Sequence, residues 1–112
     1  MTNDIKTATR KVGSNRGKPR LWIEGKLLID AGLDHGQRWD IVQTDDGFKI
    51  VRNPDGKRKV AGKPGRPIID ITGSTLGSLG RTEKLSLSYV LGAGVVSVSD
   101  AASDQILLRA AA

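Results

Sequence analysis

Apolar residues in this chain come in short alternating runs separated by Gly, Pro, Asn and Asp. That is the pattern of strands and turns rather than of long helices. In Pro19–Gly25, Leu21 and Ile23 share one face and Trp22 takes the other. Pro67–Gly73 repeats the arrangement, with Ile69 and Ile71 in the same register and Ile68 opposite. Lys26–Ala31 (KLLIDA) predicts one to two helical turns, stopped by Gly32 in a C′ position. Trp39-Asp40-Ile41-Val42 then alternates, Asp45-Asp46-Gly47 signals a hairpin turn, and Phe48–Arg52 returns. Asn53-Pro54-Asp55-Gly56 is a second strong turn. Further on, Val95–Ser99 and Gln105–Arg109 read as another hairpin around a loop at 100–104. Thr82–Leu91 supports two readings. Leu85, Leu87 and Tyr89 alternate as in a strand, while Thr82 suits a helix cap; the alternation favours strand. Residues 1–8 and Ala110–Ala112 are expected to be loose ends.

These runs belong to an internal repeat. At an offset of 48 residues, Arg10-Lys11-Val12 falls on Arg58-Lys59-Val60 and Gly17-Lys18-Pro19 on Gly65-Arg66-Pro67. Ile23 meets Ile71, Gly25 meets Gly73, Leu28 meets Leu76 and Gly32 meets Gly80. The later parts align at an offset of 57, Trp39–Arg52 on Val96–Arg109, which implies about nine extra residues in the second copy within Arg81–Leu91. The chain then divides into a flexible arm at 1–9, a first unit at 10–56 and a divergent second unit at 57–112. Each unit, at about 50 residues, is too small to bury a core alone, so the two are expected to share one. The expected class is mainly β with short helices, closed into a barrel of pseudo-two-fold symmetry that hides its strand edges.

Charge sharpens this picture. The 112 residues carry a net +6, but residues 1–66 hold 15 Lys/Arg against 8 Asp/Glu, and residues 67–112 hold 3 against 4. Two windows contain no acid at all. The first holds Arg10, Lys11, Arg16, Lys18 and Arg20; the second holds Lys57, Arg58, Lys59, Lys63 and Arg66. Solvated loops account for one such window. Two, at matching places in a repeat, point to a polyanion, because each phosphate neutralised releases counterions.

The first unit also carries a recognisable pattern. Pro19-Arg20-Leu21-Trp22-Ile23-Glu24-Gly25-Lys26-Leu27-Leu28, then Ala31-Gly32-Leu33, Gly36 and the hairpin Trp39–Val51, resembles the SymE-type branch of the AbrB/MazE swapped-hairpin DNA-binding domains. The second unit keeps the Pro-led strand Pro67–Ile71, Gly73, Leu76 and a closing hairpin. It departs at the helix, where Gly77, Ser78 and Gly80 replace good helix formers. The resemblance implies a swapped-hairpin β-barrel made by two tandem units, a pseudo-dimer on one chain, with further homodimerisation open. It implies a sequence-specific double-stranded DNA-binding transcriptional regulator, a repressor or antitoxin-like autoregulator, gripping DNA through the two basic windows. Two alternatives remain: an RNA-binding SymE-like toxin, and a basic adaptor or inhibitor that binds an acidic protein partner.

In this scheme Lys residues hold phosphates and Arg residues reach phosphates or guanine edges. Arg16-Gly17-Lys18-Pro19 and Pro64-Gly65-Arg66-Pro67 also resemble partial AT-hook cores, without the full Arg-Gly-Arg. Of the four aromatic residues, Trp39 is expected in the core; Trp22 is balanced between core packing and stacking on bases.

The case for catalysis is thin, and the one conceivable chemistry, metal-independent RNA cleavage at His35, needs a basic partner beside it. There is no Cys, and the one His, His35, sits in a turn-like Asp34-His35-Gly36. Asp45-Asp46 reads as a turn, and Gly73-Ser74-Thr75 lacks the lysine and glycine run of a phosphate-binding loop. The expectation is a non-enzyme without cofactor or metal. No run of about 20 apolar residues is present to span a membrane, and the N-terminus has no signal-type apolar stretch. A cytoplasmic, nucleoid-associated location follows as the expectation.

Overall fold

The computed structural model describes residues 5–101. Along it run β1 (Ile5–Lys11), β2 (Gly13–Asn15), β3 (Lys18–Glu24), α1 (Lys26–Ala31), β4 (Arg38–Thr44) and β5 (Gly47–Arg52). Then come β6 (Arg58–Lys59), β7 (Ala61–Lys63), β8 (Arg66–Thr72), a 3₁₀ segment (Gly73–Arg81), β9 (Lys84–Val90) and β10 (Val95–Asp100). The class is mainly β, as the alternation predicts.

The strands form two sheets. One has six strands in the order β1-β9-β10-β5-β4-β6, the other four in the order β2-β3-β8-β7. Neither closes on itself, so the expected closed barrel is corrected to two open sheets with a shared core. The break falls at Val12 and Val60, where each chain arm leaves the larger sheet and enters the smaller.

The register of both sheets brings together residues 48 apart in sequence. In β3–β8, Trp22 lies opposite Asp70; in β5–β10, Lys49 lies opposite Ser97. Each of these residues faces its own counterpart at the 48-residue offset, which places a pseudo-two-fold axis through the middle of both sheets. β1 of the first unit pairs with β9 of the second, and β6 of the second pairs with β4 of the first.

The later part of the repeat differs from the 57-residue alignment. Val95–Ser99 is a strand, but it pairs with Lys84–Val90 and with β5. The hairpin of the second unit is therefore β9–β10, and Lys84–Val90, inside Thr82–Leu91, is its first arm rather than an insertion. Gln105–Arg109 lies outside the described residues. Six residues connect α1 to β4 but four connect Leu79 to β9, while the hairpin turn grows from two residues to four. The two changes cancel, so β5 and β10 return to the 48-residue offset. Residues 5–9, expected to be a loose arm, are paired in β1 against β9.

One apolar cluster fills the space between the sheets. Leu21 and Ile23 of β3, Ile69 and Ile71 of β8, Phe48 and Ile50 of β5 and Val96 and Val98 of β10 are all buried. Leu27, Leu28 and Ala31 of α1 and Leu76 and Leu79 of the 3₁₀ segment close its ends. Counterparts match: Leu21 with Ile69, Leu28 with Leu76, Phe48 with Val96. Each fully buried side chain of this size is worth about 1.5–3 kcal/mol, and neither unit holds enough of them alone. No helix among the described residues is long and apolar enough to cross a membrane.

Candidate nucleic-acid interface

Each basic window begins on an edge strand and ends on a hairpin. Arg10 and Lys11 close β1 at one edge of the six-stranded sheet; Arg58 and Lys59 form β6 at the opposite edge, just after Lys57. Arg16 sits at the β2–β3 turn with φ 54°, followed by Gly17 at φ 78° and Lys18. Lys63 and Arg66 flank the β7–β8 turn, where Gly65 has φ 80°. Gly17 and Gly65 occupy matching places in the repeat and the same left-handed region, which a glycine enters without strain. All of these basic residues are exposed except Arg10, which is half-buried.

The register adds two residues that the sequence windows leave out. Lys11 stands directly opposite Lys84, and Lys59 directly opposite Arg38. The two pairs are equivalent in the repeat. Like charges directly across a strand pair are destabilising, and here the cost is taken twice. Next to each pair, Arg10 opposes Leu85 and Arg58 opposes Trp39, again equivalently. The Arg58 guanidinium lies 5.4 Å from the Trp39 ring centre. Trp39 is buried, as expected, and its Nε1 is buried without a hydrogen-bond partner. The neighbouring carboxylate is committed locally: Asp40 accepts from the Lys57 backbone N–H at 3.0 Å and from Asn53 Nδ2 at 2.8 Å. Those bonds, the Lys57 one foremost, hold Asp40 below the ordinary carboxylate range.

Arg20 is set apart from the other basic residues. Its Nε and a terminal nitrogen each bond Asp70 at 2.9 Å, and its guanidinium stacks 4.3 Å from the centre of the Trp22 ring. The hydrogen bonds to Asp70 push the Arg20 guanidinium further up. Trp22 is 38% exposed, outside the core. This cluster lies on the pseudo-two-fold axis and has no counterpart in the second unit, where Ile68 replaces Arg20. One cation of the first window is thus neutralised at the centre of the face.

The hairpin tips mark opposite ends of the four-stranded sheet. Extending the β3–β8 register in a straight line past both ends of β3 places Gly65 level with a point ten residues on from Gly17, a span of about 33 Å at ~3.3 Å per residue. The molecule measures 44 × 40 × 22 Å, which accommodates that span. Comparison with family models, with curated proteins and with solved structures finds no match.

Proposed function

We propose that this chain binds double-stranded DNA sequence-specifically as a transcriptional regulator of the repressor or antitoxin-like autoregulator kind. The observation that carries the reading is the pair of equivalent cation clusters, Lys11 with Lys84 and Lys59 with Arg38, held at a cost to folding. A surface that sets like charges across a ladder at both ends suits a ligand that supplies the missing negative charge at both ends. Two symmetric ends and tips about 33 Å apart suit half-sites one duplex turn apart, about 34–36 Å. Arg10, Lys11, Arg16 and Lys18 serve one half-site; Lys57, Arg58, Lys59, Lys63 and Arg66 serve the other. Arg20, engaged with Asp70, contributes position rather than free charge.

The finer fold assignment belongs to the same proposal. Exchanged arms around two paired hairpins support a swapped-hairpin domain of the AbrB/MazE kind, present as a single-chain pseudo-dimer. Fluorescence anisotropy on labelled duplex DNA, structured RNA and single-stranded RNA of equal length tests the function. The expected order places duplex DNA first, with affinity falling steeply with salt. Tighter binding to RNA transfers the proposal to the RNA-binding alternative. A partner captured equally well after nuclease treatment transfers it to the acidic-protein alternative.

A further inference from the structure

The two units differ most after each Pro-led strand. The first unit continues into α1, whereas the second continues into a 3₁₀ segment broken at Gly77, with φ 57° and ψ −138°. Only glycine enters that region freely. At the 48-residue offset, Gly77 stands where the first unit has Ile29, and Arg81 where it has Leu33. A Cβ on Gly80 would fall 2.7 Å from Pro19 Cγ, so the segment lies directly on the start of β3. A Cβ on Gly77 would meet nothing within 4 Å, so close packing does not account for that glycine.

Between the segment and β3 lies an open groove of about 470 Å³, lined by Lys18, Gly73, Ser74, Gly77, Gly80 and Arg81 along with Pro19. No carboxylate lines it. Lys18 and Arg81 take part in no ion pair among the described residues. Two unpaired cations, a hydroxyl and a glycine-rich backbone fit a tetrahedral oxyanion, with guanidinium and ammonium supplying charge and Ser74 a hydrogen bond.

We propose that this groove seats a phosphate group, held by Arg81 and Lys18. Arg81 lies outside both basic windows, and the seat has no equivalent in the first unit, where α1 keeps its apolar residues. Lys18 flanks the β2–β3 tip, so a phosphate here is next in line to one gripped by the tip. Assigning that phosphate to a nucleic-acid backbone rests on the function proposed above; a small phosphorylated molecule presents the same group.

Amide chemical shifts of the ¹⁵N-labelled full chain test the seat at constant ionic strength. Sodium phosphate, deoxyadenosine monophosphate and a short DNA duplex are titrated in turn into the wild type and into Arg81→Ala. Phosphate is expected to shift the amides of Gly73, Ser74, Gly77 and Gly80, and Arg81→Ala to weaken that response about tenfold. Arg81→Ala is also expected to reduce the magnitude of the salt slope of duplex binding by about one. A phosphate response no larger than that to chloride, or a midpoint unmoved by Arg81→Ala, overturns the seat. If that happens while the duplex still binds, the seat fails and the DNA reading stands. A groove response to phosphate and to the mononucleotide, with no duplex binding at low salt, supports the seat and assigns it to a small phosphorylated ligand.

Discussion

Replacing Lys84 with Ser separates the cost of the cation pairs from their use. Lys84 faces Lys11 on a ladder whose directly opposed Cβ atoms stand about 4.5–5.5 Å apart. Two flexible four-carbon stems rooted at that spacing can hold their ammoniums about 8 Å apart. In water that separation gives about 0.5 kcal/mol of repulsion, cut to about 0.2 kcal/mol at physiological ionic strength. Serine suits the site, because Ser86 and Ser88 continue the same face of β9. Lys84→Ser is therefore expected to stabilise the fold by about 0.2–0.5 kcal/mol, a rise in melting temperature of about 1–3 °C. Duplex binding is expected to move the other way. Loss of one phosphate contact lowers the salt slope by about 0.9, so the affinity lost between 50 and 200 mM salt shrinks by about 3.5-fold. Scanning calorimetry and a salt series of anisotropy titrations read the two effects on the same preparation. A variant that is less stable, or equally stable with an unchanged salt slope, refutes the reasoning.

Three further outcomes follow from the packing and the charges. Phe48→Ala, at a core position 2% exposed, is expected to cost about 3–5 kcal/mol in denaturant unfolding. Breaking the Arg20–Asp70 pair by Asp70→Asn is expected to cost little, because a double-mutant cycle on an exposed pair gives about 0.2–1 kcal/mol; the freed Arg20 should tighten duplex binding. Asp40, held down by Lys57 N–H and Asn53, contributes stability that is present above the unfolded carboxylate value of about 3.9. That contribution is lost as pH falls through the lower folded value, so Asp40→Asn should flatten the acid limb of a stability-against-pH curve. A limb that keeps its full slope assigns it to other carboxylates.

The first half of the repeat is legible because its strand starts and turns need particular residues. Pro19 and Pro67 sit second in their strands, and Gly17 and Gly65 turn the chain, so identity survives at those places. The hairpin half needs only alternation. Many segments supply it, so Val96–Arg109 aligns with Trp39–Arg52 on alternation alone. The compensating two-residue changes in the loops then concealed the correct offset. β1 escapes notice for a related reason: IKTATRK has little apolar content, and its pairing depends on β9, far along the chain. Lys84 and Arg38 are invisible to a search for charge runs, since each sits alone in sequence and meets its partner cation only through strand register. The engagement of Arg20 is hidden too, because Asp70 reaches it across the pseudo-two-fold axis.

Selection of bound duplexes from a random-sequence DNA library at physiological salt tests the central claim most directly. Two symmetric cation clusters and tips about 33 Å apart predict an enriched motif of two inverted half-sites, centred about one duplex turn apart. Recovery of sequences no different from the starting library, or of a single motif without a second half-site, contradicts it.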